Sequence, residues 1–129
     1  MSSESPMPKK LLLKPGMQAR FVNTPAGFWH LFGTLPKGVA LQSGGQDTSD
    51  WVLVFAKTRK ELLTHGPGAL ESLKEGGTFW AAYPKKNSGK QTDLTNKVGW
   101  EPITDEGFES VGTASIDDVW TAVRWKPVN

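Results

Sequence analysis

Apolar runs and glycine- or proline-rich breaks alternate along this chain, and the spacing of the apolar residues switches between strand and helix. The longest run without a polar residue is Trp51-Val52-Leu53-Val54-Phe55-Ala56. Such a run fits a strand buried on both faces of a parallel sheet. Residues 78–83, centred on Phe79-Trp80-Ala81-Ala82, read the same way. Ala19-Arg20-Phe21-Val22-Asn23 is expected to be a first strand and Val39-Ala40-Leu41 a weak second. Residues 108–116 and 119–125 read as two terminal strands joined around Asp117-Asp118 as an antiparallel pair.

Between the strands the period lengthens. Pro25 suits the first turn of a helix, and Phe28, Trp29, Leu31, Phe32 and Leu35 supply its apolar side, ending near Gly33. Thr58-Arg59-Lys60-Glu61 matches a capping box: the threonine accepts from the third helical N–H, and the glutamate reaches back. The helix it opens uses Leu62, Leu63, Leu70 and Leu73. Gly66-Pro67-Gly68 is expected to kink or split it, and Gly76-Gly77 to end it through a left-handed cap. Thr92 or Asp93 is expected to cap a further helical segment with Leu94 and Val98 inside, cut by Gly99 and Pro102. Residues 42–49 and 84–91 read as polar loops.

Strands alternating with helices predict an open, mostly parallel α/β sheet of the Rossmann-like kind, with helices on both faces and a C-terminal antiparallel strand pair. A chain of 129 residues suffices for one such domain. Residues 1–10 are expected to form a disordered tail and residues 11–129 the domain. Cysteine is absent, which excludes disulfides, thiolate metal sites and cysteine nucleophiles and agrees with a cytoplasmic location. The net charge of +2, from 15 basic and 13 acidic residues, is too mild for wholesale nucleic-acid binding. No apolar run approaches the roughly 20 residues of a membrane span.

The second half carries a resemblance. Asp50-Trp51-Val52-Leu53-Val54-Phe55, followed after a helix by Leu73-Lys74-Glu75-Gly76-Gly77-Thr78-Phe79-Trp80-Ala81-Ala82-Tyr83-Pro84, resembles strands four and five of class I S-adenosylmethionine-dependent methyltransferases. The resemblance implies a methyltransferase-like sheet and, for the family, a glycine-rich loop after strand one and an acidic residue ending strand two. Here the first loop is Asn23-Thr24-Pro25-Ala26-Gly27-Phe28-Trp29, and the second strand ends Leu41-Gln42-Ser43, so both cofactor anchors are missing. Leu13-Lys14-Pro15-Gly16, Tyr83-Pro84-Lys85-Lys86, Thr92-Asp93-Leu94-Thr95, Gly99-Trp100 and Ile116-Asp117-Asp118-Val119-Trp120 make the chain similar to a small bacterial family of unknown function, a trimmed version of that sheet. That family implies a fold and no activity.

The candidate chemistry is sparse. Residues 85–92 follow a strand and precede a helix, the place where open α/β sheets bind ligands, and a helix N-terminus favours an anion. Lys85, Lys86, Ser88, Lys90, Thr92 and Asp93, with Asn23 and Thr24 from the loop after strand one, are the candidate contacts for a phosphate or carboxylate. The competing reading is a solvated loop whose lysines keep the sheet end soluble. Gly89-Lys90 does not make a P-loop, because Pro84 stands at the first glycine position and Gln91 follows the lysine. Asp117-Asp118 reads as a turn, since neighbours on a strand point to opposite faces. His30 and His65 lack the converging partners a metal needs, and no Gly-X-Ser-X-Gly elbow occurs. Trp51 and Trp80 are expected in the core, which is also the default for Trp29, Trp100, Trp120 and Trp125; the alternative for these four is an aromatic face beside the basic loop. The expected function is a non-catalytic domain without a cofactor that binds an anionic small molecule or a protein partner, and the alternative is a divergent transferase.

Overall fold

Residue-by-residue burial in a computed structural model separates two apolar layers on either side of one sheet. The structure describes residues 10–28, 35–42, 48–85, 94–95 and 98–128. The tail expected over residues 1–10 falls, but for Lys10, outside them, and so does most of the helix expected after Pro25.

The strands are β1 (Gln18–Val22), β2 (Ala40–Leu41), β3 (Ser49–Phe55), β4 (Leu73–Pro84), β5 (Phe108–Ser115) and β6 (Trp120–Pro127). They form one six-stranded sheet in the order β2-β1-β3-β4-β6-β5. The pairings β2 with β1, β1 with β3 and β3 with β4 are parallel, and β6 runs antiparallel to both β4 and β5. The α/β class and the antiparallel ending are therefore as expected. Two helices are described, α1 (Arg59–Glu71) and the single turn α2 (Glu101–Thr104). Both pack on one face; Phe28, helical in its backbone, packs on the other, and most of the helix expected there lies outside the described residues.

Side-chain alternation along each strand sorts the core. Val52, Val54, Phe79, Ala81, Tyr83, Val123 and Trp125 turn toward Leu62 and Leu70 of α1 and Ile103 of α2. Trp51, Leu53, Phe55, Trp80, Ala82, Trp120 and Ala122 turn the other way, where Leu11, Leu13 and Phe28 cover them. On that second face the Leu11 carbonyl accepts hydrogen bonds from the indole N–H of Trp51 and of Trp80, each at 2.7 Å. Leu53 pairs with Trp80 and Trp51 with Thr78, so the two indoles are diagonal neighbours on the same face. Trp100, Trp120 and Trp125 are buried as well, which removes the aromatic surface considered for them; Trp29 lies outside the described residues.

Three local expectations need correction. First, α1 is not split: it runs unbroken through Pro67. Proline forfeits only the bond to the carbonyl of Leu63, four residues earlier, on the exposed side of the helix. Gly66 is needed for another reason, because a Cβ there would meet Ile103 Cδ1 at 3.2 Å.

Second, Gly76-Gly77 does not cap α1. The helix stops at Glu71 with Ser72 as a right-handed cap, and Leu73 already belongs to β4, paired with Ser49. Between the pairs Ser49/Leu73 and Trp51/Thr78, β3 advances two residues while β4 advances five. Gly76, at φ +80°, turns the chain within that bulge. Gly77 has no positive φ; a Cβ there would lie 2.8 Å from Leu73 Cδ1 and 2.9 Å from the carbonyl oxygen of Asp50.

Third, Val98 is exposed, not inside; after the expected cut at Gly99 the short helix α2 begins, with Pro102 in its first turn.

Candidate functional site

The parallel strands bring their carboxyl ends to one edge, so residues just after β1, β3 and β4 gather there. Asn23 follows β1 with φ +58°, a left-handed conformation that asparagine tolerates better than most residues. Its amide donates to the Phe55 carbonyl at 2.9 Å and to Glu61 Oε1 at 3.0 Å. The same oxygen accepts from the Lys57 N–H at 3.1 Å, while Thr58 Oγ1 accepts from the Glu61 N–H at 3.2 Å. The capping box therefore forms in modified register. Its glutamate reaches one residue further back than expected and also holds the end of β1.

Lys85 follows β4. Its backbone N–H donates to the Val119 carbonyl and its ammonium to Ser115 Oγ, both at 2.6 Å. Lys85 therefore turns toward the end of β5, while Asn23 turns toward α1. The two share the sheet edge but stand about two strand spacings apart, roughly 10 Å, and point to different neighbours. Thr24, half-buried, follows Asn23. Lys86, Ser88, Lys90, Thr92 and Asp93 lie outside the described residues.

Aromatic rings fill the edge near the first loop. Phe28 packs edge-on against Phe55 with centroids 4.9 Å apart, and Phe55 against Trp120 at 5.1 Å. Phe28 is only 3% exposed. Beside this row a cavity of about 110 Å³ remains between residues 25–28 and Ile116, Asp117 and Trp120. Small-molecule sites usually span about 300–1,000 Å³. Among the described residues, this cavity is smaller than a nucleoside-sized cofactor needs. Gln42, at the end of β2, gives its N–H to the Ala19 carbonyl at 2.8 Å and brings no carboxylate.

Asp117 proves to be a turn residue: its Oδ1 accepts from the N–H of Val119 at 2.8 Å and of Trp120 at 2.6 Å. Among the described residues no group of three or more His, Asp or Glu is placed to hold a metal ion, and no helix is long and apolar enough to cross a membrane. Burial raises the pKa of the Tyr83 hydroxyl above its ordinary value.

Two features escape a reading of the sequence. Ser115 reaches Lys85 only because β6 inserts between β4 and β5, and no local signal announces that. A groove of about 560 Å³ lies between α1 and α2, with Leu63 and Pro67 on one side and Pro102, Asp105 and Glu106 on the other. Its one readable sign is Leu63, placed on the apolar side of the helix yet 62% exposed.

No protein-family model matches the chain, and no curated protein matches it. Solved structures do. The ribosomal protein L11 methylase of Lactobacillus delbrueckii subsp. bulgaricus aligns with a TM-score of 0.57 over 94% of this chain and 74% of that one, at 14% identity. TrmN from Thermus thermophilus aligns at 0.56 over 95% of this chain, 47% of its own, at 11% identity. DhpI, solved as an SAH complex, aligns at 0.57 over 88% and 77%, at 8% identity. At such identities the likeness is one of fold, and the fold of this chain is methyltransferase-like.

Proposed function

We propose that this chain is a binding domain on a methyltransferase-like sheet that does not transfer a methyl group from S-adenosylmethionine, and that the end of β4 takes a small anion. The observation that carries the first part is the aromatic row of Phe28, Phe55 and Trp120, which fills the edge and leaves about 110 Å³ beside the first loop. The second part rests on Lys85 and Ser115, which set an ammonium and a hydroxyl 2.6 Å apart at the same edge. Asn23, engaged with Phe55 and Glu61, acts here as a structural latch between β1 and α1. We place the protein in the cytoplasm.

The second reading, a divergent transferase, is favoured by the likeness to methylase structures. One titration series separates the two. S-adenosylmethionine is expected to give no binding heat at about 100 μM, whereas inorganic phosphate shifts the amides of Lys85 and Ser115, less so as salt rises. Lys85→Ala should remove those shifts. A dissociation constant for S-adenosylmethionine near 1 μM, about −8 kcal/mol, would overturn the proposal in favour of the transferase. Phosphate shifts unchanged by Lys85→Ala would remove the anion site.

A further inference from the structure

The groove between α1 and α2 lies on the helical side of the molecule and does not include Lys85 or Ser115, so its occupant is independent of the anion reading. Its walls are asymmetric. At the end nearest the start of α1, Arg59 and Glu101 form an ion pair at 2.9 Å. Midway, Leu63 stands 62% exposed, with Pro67 one turn further on and Pro102 facing them. At the far end Asp105 and Glu106, both exposed, make no ion pair among the described residues. Pro67 also lacks the N–H that would ordinarily bond to the Leu63 carbonyl, so the α1 wall carries a backbone acceptor without its usual helical donor. Apolar floor, backbone acceptor and acidic end together match one kind of occupant.

We propose that this groove docks an extended segment of a partner protein carrying a large apolar side chain followed by lysine or arginine. The apolar side chain packs on Leu63, Pro67 and Pro102. The basic side chain meets Asp105 and Glu106 in a charge-assisted contact. A peptide N–H of the segment is offered the Leu63 carbonyl. At the opposite end Arg59 is paired with Glu101 and Lys60 adds a further cation, which disfavours a basic side chain there and sets the direction in which the segment lies.

Amide chemical-shift mapping with two short synthetic peptides tests this. One carries a central leucine-phenylalanine pair followed by two lysines; the other replaces the lysines with glutamates. The lysine peptide is expected to shift Leu63, Asp105 and Glu106 and to bind at least about tenfold more tightly than the glutamate peptide, a gap that narrows with salt. The double variant Asp105→Lys/Glu106→Lys should invert the preference. Leu63→Glu should abolish binding of both peptides while leaving the melting temperature unchanged, because that side chain is already largely in solvent. Equal affinity for the two peptides, shifts centred outside the groove, or no shifts at millimolar peptide would overturn the proposal. So would self-association by sedimentation that Leu63→Glu removes, since the occupant would then be a second copy of this chain.

Discussion

The two faces of the sheet are covered by opposite means. On one, α1 supplies a helix of 13 residues whose inner backbone groups pair within the helix, apart from the position of Pro67, and Leu62 and Leu70 pack on Val52, Val54 and Phe79. On the other, the described cover is Phe28 and a turn at Leu11 and Leu12, with Leu12 at φ +66°, that leads into Leu13. A turn outside regular secondary structure can bring an unpaired carbonyl to the core, at about 1–3 kcal/mol if left without a partner. Trp51 and Trp80 answer that need by aiming both indole N–H groups at the Leu11 carbonyl. Tryptophan thus serves here through its donor as much as through its area. The comparison teaches that a turn carbonyl can be sealed into a core when the sheet itself provides the donors.

The comparison breaks most sharply on Leu11. Leu11 and Leu62 are both fully buried, so Leu11→Ala and Leu62→Ala should each cost about 2–5 kcal/mol in chemical denaturation. A loss below about 1 kcal/mol for Leu11→Ala alone would mean that the cover around Leu11 lifts off before the α1 face yields.

A smaller effect sharpens it. Trp51→Phe or Trp80→Phe alone removes one donor and leaves the other, at about 0.5–1.5 kcal/mol for the hydrogen bond. The double variant strands the carbonyl. A double-mutant cycle should therefore show the pair costing more than the sum, with a coupling of about 0.5–3 kcal/mol. Strict additivity would mean that water reaches Leu11 and the second face is less sealed than the first.

The smallest effect reports on the helix face. Tyr83 is the one tyrosine, so its phenolate absorbance titrates alone. Burial holds its folded pKa above the ordinary 10.0. The associated stability is complete below the unfolded value and is lost as pH rises through the folded one. The absorbance midpoint of the native protein should exceed that of the urea-unfolded chain, and Tyr83→Phe should flatten the alkaline loss of stability. Coincident midpoints would mean that solvent reaches this face.

Much of the sheet was legible because burial on both faces leaves a simple mark: residues 51–56 and 78–83 could hardly be anything but inner strands. The misreadings arose where one residue type serves two purposes. Leu73 continues the spacing of Leu62 and Leu70 but lies in β4, so the helix seemed to extend to the two glycines. Those glycines serve a bulge against Asp50, a long-range arrangement that local spacing does not encode. Pro67 looked like a break because its cost depends on whether Leu63 faces water, which is a tertiary fact. Of the candidate site, Asn23 and Lys85 follow parallel strands and so share one sheet edge, as strand polarity implies. Their divergent partners, Glu61 and Ser115, depend on side-chain direction and on the insertion of β6, neither of which the sequence displays.

The Leu11 carbonyl also sets an order of events during synthesis. Its two donors lie 40 and 69 residues further along the chain. At roughly 5–20 residues per second, Leu11 waits several seconds after it is made before Trp80 exists. Closing the longer span costs little more than closing the shorter, under about 0.6 kcal/mol, since the penalty grows only with the logarithm of length. The delay is therefore one of availability and not of free energy. Until Trp80 is made, that carbonyl can have no more than one of its two indole donors.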